Sequence, residues 1–267
     1  GALTATIKAG SVAETLKALA NVDATDALTF TSTDKTVKAT DLVALNSKIA
    51  NGTYTSIETI TADAKDVSYV SAALGITGAD VTITGTITAA QANAIAVHGS
   101  AGALTATVEA DTAANLVAKL VNTGATDILT LAVNGTTATA AHLNTLATKT
   151  GGKIKLDATE VTGTFAEVEA VYVTNAADYT NLGNKNVVIS PAFAGTATAG
   201  VVLGDLDGIL DATTGIVTAT LTSNTATNLL AKTTKATSKD ALTLEVTGGA
   251  GTTAAASDLK ALDAKTS

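Results

Sequence analysis

Arginine, cysteine, methionine and tryptophan are absent from this chain, and proline occurs once. All 16 cationic side chains are therefore lysines, and 24 carboxylates outnumber them to leave a net charge of −8. Nucleic-acid binding and attraction to anionic membranes both need clustered positive charge, and no such cluster exists here. No uninterrupted apolar run approaches the ~20 residues that span a bilayer, which argues against membrane insertion. Without cysteine, and with His98 and His142 as the only imidazoles, the sequence offers no zinc-ligand spacing. The lack of cysteine does not by itself fix a compartment. Neither Gly-x-x-x-x-Gly-Lys-Thr nor a convincing Gly-x-Ser-x-Gly is present, so nucleotide-binding and hydrolase readings have no handle. The chain does not start with methionine, which predicts a processed or excised product, and no signal peptide is visible. Aromatic residues make up only 3% against 46% hydrophobic residues overall, so the apolar mass is Ala, Val, Leu and Ile. Such a core suits thin, regular layers.

What is present is repetition. Gly1-Ala-Leu-Thr-Ala-Thr-Ile7 returns as Gly102-Ala-Leu-Thr-Ala-Thr-Val108 and as Gly215-Ile-Val-Thr-Ala-Thr-Leu221. Downstream, Asp26-Ala-Leu-Thr-Phe30, Asp127-Ile-Leu-Thr-Leu131 and Asp240-Ala-Leu-Thr-Leu244 keep the register. A long internal repeat means a modular array. The copies are read as residues 1–101, residues 102–214 with an irregular segment at about 150–213, and a partial copy at 215–267.

Within each copy, apolar residues first alternate with threonine, the period of a strand, and then recur at helical spacing. Leu3, Ala5 and Ile7 precede Val12, Leu16 and Leu19; Leu104 to Val108 precede Leu116, Val117 and Leu120; Leu242 to Val246 precede Leu259 and Leu262. Ser11/Glu14, Thr88/Gln91 and Thr164/Glu167 have the spacing of capping boxes. One strand plus one short helix occupies about 23–26 residues, too little to bury an apolar face without stacking on its neighbours. These features predict an α/β repeat, a parallel β-solenoid of strand plus short-helix rungs. The competing reading is a string of small α+β modules, with Asn134-Gly135 and Gly248-Gly249 as hairpin turns. Pro191 falls in a loop-like stretch of the irregular segment.

Candidate chemistry is sparse. Asp26, Asp127 and Asp240 recur just before a strand, and Asp80 sits similarly. They fit either calcium held between rungs or, in the favoured reading, an aspartate capping its own turn. Asp205, Asp207 and Asp211, around Gly-Asp-Leu-Asp-Gly, are the calcium candidates, although the closing Glu of a helix-loop-helix calcium site is missing. His142 aligns with Asp41 and Asp258, which marks a solvated position. No cofactor and no catalytic residue is assigned. The outward pairs Thr4/Thr6, Thr82/Thr84, Thr105/Thr107 and Thr218/Thr220 could meet a glycan or ice, but β-branched threonine also simply suits an exposed strand. Asn51-Gly-Thr53 and Asn134-Gly-Thr136 are glycosylation sequons.

The alternation of Thr-rich strands with Thr88-Ala-Ala-Gln-Ala-Asn-Ala-Ile-Ala96 and Asp111-Thr-Ala-Ala-Asn-Leu116 resembles the repeat regions of giant type I-secreted bacterial surface proteins. Those proteins are often cyanobacterial and include calcium-binding toxin-repeat and adhesin-like chains. The resemblance implies an extracellular, structural or adhesive role; the calcium-binding nonapeptides themselves are missing. Neither end of the chain looks like a polar cap. The expectation is therefore a non-enzymatic structural subunit of a bacterial extracellular filament, surface layer or adhesin stalk. It would associate head to tail with copies of itself, the apolar residues Leu3, Leu16 and Leu19 at one end meeting Leu242, Leu259 and Leu262 at the other. The alternative is a glycan- or ice-binding module using the threonine face.

Overall fold

The structure is a computed structural model that describes residues 2–22, 25–98, 102–193, 206–247 and 253–266. The chain forms two compact units, Gly1–Glu109 with Ala118–Leu131 and Lys149–Gly152, and Ala110–Val117 with Ala132–Thr148 and Lys153–Ser267. Strands β1 (Thr4–Thr6), β2 (Ala27–Thr31), β3 (Thr36–Lys38), β4 (Asn51–Thr53), β5 (Thr59–Asp63), β6 (Asp80–Ile87), β7 (Leu104–Val108) and β8 (Ile128–Val133) come first. They are followed by β9 (Thr137–Thr139), β10 (Ile154–Leu156), β11 (Glu160–Gly163), β12 (Tyr179–Thr180), β13 (Asn186–Phe193), β14 (Val217–Asn224) and β15 (Ala241–Val246).

Alternation places these strands as the sequence predicts. Leu104, Ala106 and Val108 point inward, and so do Leu129, Leu131 and Val133, and Val217, Ala219 and Leu221. Thr105, Thr107 and Thr220 face solvent. The helices between strands are short, five to eight residues each, and would be marginal alone. They persist because one face is buried: Ala39, Leu42 and Leu45, or Ala140, Leu143 and Leu146, at successive helical turns. Thr88 and Gln91 form a capping box, as do Thr164 and Glu167. The Ser11 side chain makes no cap bond to its helix, and Asp34 accepts the neighbouring Val12 N–H at 2.7 Å.

The expected parallel β-solenoid is not what forms. The strands fall into three parallel sheets, in the orders β1-β2-β4, β12-β10-β8-β7-β6-β5-β3 and β15-β14-β13-β11-β9. The molecule is an α/β fold and not a closed solenoid, so the filament and adhesin-stalk readings lose the architecture they rested on. The cause lies in strands too short to stand out in the periodicity. After β2 a turn at 32–35 starts β3 in a different sheet, and after β8 a turn at 134–136 starts β9 in a different sheet. Asn134-Gly135 therefore joins two sheets and makes no hairpin, while Gly248-Gly249 lies outside the described residues. Every described pairing is parallel, which also removes the antiparallel modules. Pro191 is not in a loop; it lies within β13, where the register to β14 shifts between Ile189 and Phe193. A second shift sits in β6 between Thr82 and Thr86. There Gly85 takes φ +91°, a conformation that side-chain-bearing residues avoid.

Candidate functional site

Each copy spends its recurring aspartate on its own backbone. Asp26 Oδ1 accepts the N–H of Leu3 at 2.7 Å, Asp127 Oδ1 that of Leu104 at 2.9 Å, and Asp240 Oδ1 that of Val217 at 3.0 Å. In all three the donor lies 23 residues earlier, at the start of the neighbouring strand. In Asp127 and Asp240 the other oxygen closes the local turn. Asp127 Oδ2 takes the Gly124 N–H at 2.9 Å, and Asp240 Oδ2 takes the N–H and hydroxyl of Thr237 at 2.9 and 3.0 Å. Asp80 reaches the opposite way, to the Ala103 N–H at 2.9 Å. Of the two chemistries open to these residues, turn capping is the one the geometry displays, extended into a staple between adjacent strands. Charge-assisted bonds of this kind are about twice as strong as neutral ones.

A second staple escaped the sequence reading. Lys48 Nζ donates to the carbonyls of Val22 at 2.8 Å and Ala20 at 3.4 Å. Lys149 Nζ donates to Val121 O at 3.1 Å, and Lys265 Nζ to Thr234 O at 2.9 Å and Ala236 O at 3.5 Å. These acceptors lie in the loops after short helices, two or four residues past the last helical residue. The signal was there to find: Leu45, Leu146 and Leu262 are each followed three positions later by this lysine.

The remaining candidates are scattered. His142 is half-buried; its Nδ1 lies 2.7 Å from the Thr139 hydroxyl, which also accepts the His142 N–H, so the imidazole completes a helix cap. His98 is half-buried just past the end of the helix Ala89–Ala96. Asp207 accepts the Lys235 N–H at 2.9 Å and a hydroxyl from Thr234, while Asp211 pairs with Lys235 Nζ at 3.5 Å. Asp205 lies outside the described residues. No group of three or more His, Asp or Glu able to hold a metal occurs among the described residues. Of the assembly residues, Leu3 and Leu259 are exposed, Leu16 and Leu19 are half-buried, and Leu242 and Leu262 are packed inside the chain's own core.

A polar, open hollow of about 290 Å³ lies at the carboxyl ends of β3 and β5, in the first unit. Lys38, Asp41, Asp63, Lys65 and Asp66 line it together with Thr40, Thr61 and Thr84. Three carboxylates and two ammonium groups share it. The Thr40 hydroxyl is 3.4 Å from Asp41 Oδ1, beyond the reach expected of a nucleophile and its base. Nor does strand order supply a crevice. Ligands of open α/β sheets bind where strand order reverses, and each described sheet runs monotonically in sequence.

On the outer face of the same unit, Lys38, Thr61, Thr82, Thr105 and Ile128 stand in one row across five strands. In the irregular segment Lys155 pairs with Asp157 at 2.9 Å. The hydroxyls of Tyr54, Tyr172 and Tyr179 are buried without a hydrogen-bond partner among the described residues. Burial pushes the Tyr54 phenol up to about 12. It also raises Tyr172, and it raises Tyr179 with help from the neighbouring Asp178 charge. No helix among the described residues is long and apolar enough to cross a membrane.

No protein-family profile, no curated protein and no solved structure matches this chain.

Proposed function

We propose that this chain is a structural repeat protein of a bacterial surface layer, exported from the cell and acting through packing and self-association, without catalysing a reaction. One observation carries the reading. The recurring charged residues, those a binding or catalytic site would draw on, are committed to the chain's own backbone in every copy: Asp26, Asp127 and Asp240 to strand N–H groups, and Lys48, Lys149 and Lys265 to carbonyls of the loops that follow short helices. The Thr-rich repeats support the same assignment through their resemblance to secreted surface proteins. Sedimentation and electron microscopy of the concentrated chain test the idea. A regular lattice or a concentration-dependent oligomer is expected, and a chain that stays monomeric at all concentrations would overturn it.

A glycan-binding role is the second reading, favoured by the in-register row from Lys38 to Ile128. Binding on a glycan array that disappears in a Thr82→Val/Thr105→Val variant would establish it over the first.

A further inference from the structure

The chain contains two Asn-Gly dipeptides, Asn51-Gly52 and Asn134-Gly135, and the fold treats them oppositely. Asn51 and Gly52 lie inside β4, with Asn51 opposite Thr29 and Gly52 opposite Phe30 in the ladder to β2. The Tyr54 ring lies over Gly52, so closely that a Cβ there would fall 2.2 Å from it. Asn134 and Gly135 form the turn between β8 and β9, and residues 134–137 are all exposed. Gly135 takes φ +101°, outside the range of strands and helices. The Asn134 N–H is anchored to the carbonyl of Asp111 at 3.0 Å, yet its side-chain amide enters none of the described hydrogen bonds. The equivalent turn of the first copy holds its Thr33 N–H to Gly10 O, also at 3.0 Å, but carries Thr33-Asp34 in place of Asn-Gly.

We propose that Asn134 is a self-modification site, converting through a cyclic imide to aspartate and isoaspartate, while Asn51 is protected by its strand. The Gly135 backbone nitrogen attacks Asn134 Cγ and loses its proton; the Cγ–Nδ2 bond breaks and ammonia leaves. Water then opens the five-membered imide at either carbonyl, giving an α-linked or a β-linked aspartyl residue. The step needs no oxidant, reductant or enzyme. It requires an amide free to rotate onto the next nitrogen, and a following residue without a Cβ to obstruct the approach. A turn supplies both. A strand holds the asparagine extended, with its neighbour's backbone fixed in the ladder. The product adds one negative charge to the −8 of the chain, and the β-linked form also inserts a methylene into the turn that sets β9 apart from β8.

The test is to age the full chain in mildly alkaline buffer, and to map its peptides by mass spectrometry with enzymatic methylation of isoaspartate. The Asn134 peptide should convert at least about tenfold faster than the Asn51 peptide in the folded chain, a factor worth about 1.4 kcal/mol of barrier. In concentrated urea the two rates should converge. An Asn134→Gln variant should lack the acidic species on isoelectric focusing. Equal rates at both positions in the folded chain would overturn the proposal. So would an Asn134 that keeps its amide when folded yet converts once unfolded.

Discussion

Strands β1 and β7 are written in nearly the same residues, Leu3-Thr-Ala-Thr-Ile7 and Leu104-Thr-Ala-Thr-Val108, but they occupy different surroundings. β7 pairs on both sides, with β6 and β8, and Leu104 is only 2% exposed. β1 pairs with β2 alone among the described residues, and Leu3 is 53% exposed. The staples follow the same division. Asp127, which holds the start of β7, is buried, whereas Asp26, which holds the start of β1, is half-buried. A phrase repeated in the sequence is thus not a unit of stability. The neighbours it meets on each side decide what it contributes.

The sharpest probe of this contrast is truncation at equivalent positions. Leu104→Ala should cost about 2–5 kcal/mol, since it opens a cavity in a filled layer, and Leu3→Ala should stay within about 0.5 kcal/mol. Urea midpoints of the two variants measure the difference, and equal costs would break the comparison. Next comes the staple. Asp127→Ala leaves the N–H groups of Leu104 and Gly124 without their acceptor in a buried setting and should lose about 1–3 kcal/mol, while Asp26→Ala should lose less, about 0.5 kcal/mol.

Alkali offers a third probe, because the two copies bury tyrosines in unequal number: Tyr54 in the first, Tyr172 and Tyr179 in the second. Their phenols are raised above the ordinary value of 10.0 in the folded chain. The folded state therefore holds its phenolic protons more tightly than the unfolded state. The stabilisation is complete below pH 10, and it is lost as pH climbs through the folded value, about 12 for Tyr54. Phenolate absorbance should rise together with loss of circular dichroism. Replacing both Tyr172 and Tyr179 with Phe should move that transition to higher pH by more than Tyr54→Phe does. The smallest effect belongs to the lysines, and here the order of the copies reverses. Lys48 reaches two carbonyls and Lys149 one, so Lys48→Met should cost more than Lys149→Met, each within about 0.3–1 kcal/mol. Added salt should shrink both differences.

Much of the local structure was legible because it rests on period and capping chemistry that neighbours in sequence complete. The inward Leu104, Ala106 and Val108 follow from alternation, and Thr88/Gln91 from spacing. The division into three sheets was hidden, since strands of three residues such as β3 and β9 carry too few side chains to set a period. Ser11 has the spacing of a cap yet makes no cap bond, and the first N–H of its helix is held by Asp34, 22 residues away. The aspartate positions were visible, but their partners were not, because a bond across 23 residues leaves no mark in local composition. The lysine staple left a legible mark, the recurring Leu-x-x-Lys, whose meaning depended on which loop the fold brings beside it.

The constant interval between each aspartate and the N–H it holds acts as a ruler. Leu3 to Asp26, Leu104 to Asp127 and Val217 to Asp240 all measure 23 residues, although the intervening side chains differ. Substitutions between the two ends leave the gauge intact; a single inserted or deleted residue carries the carboxylate off its mark and turns the next strand's apolar residues toward water. Within each of these intervals the protein is therefore permissive about spelling and strict about length, whereas the stretches outside them vary, as copies of 101 and 113 residues show.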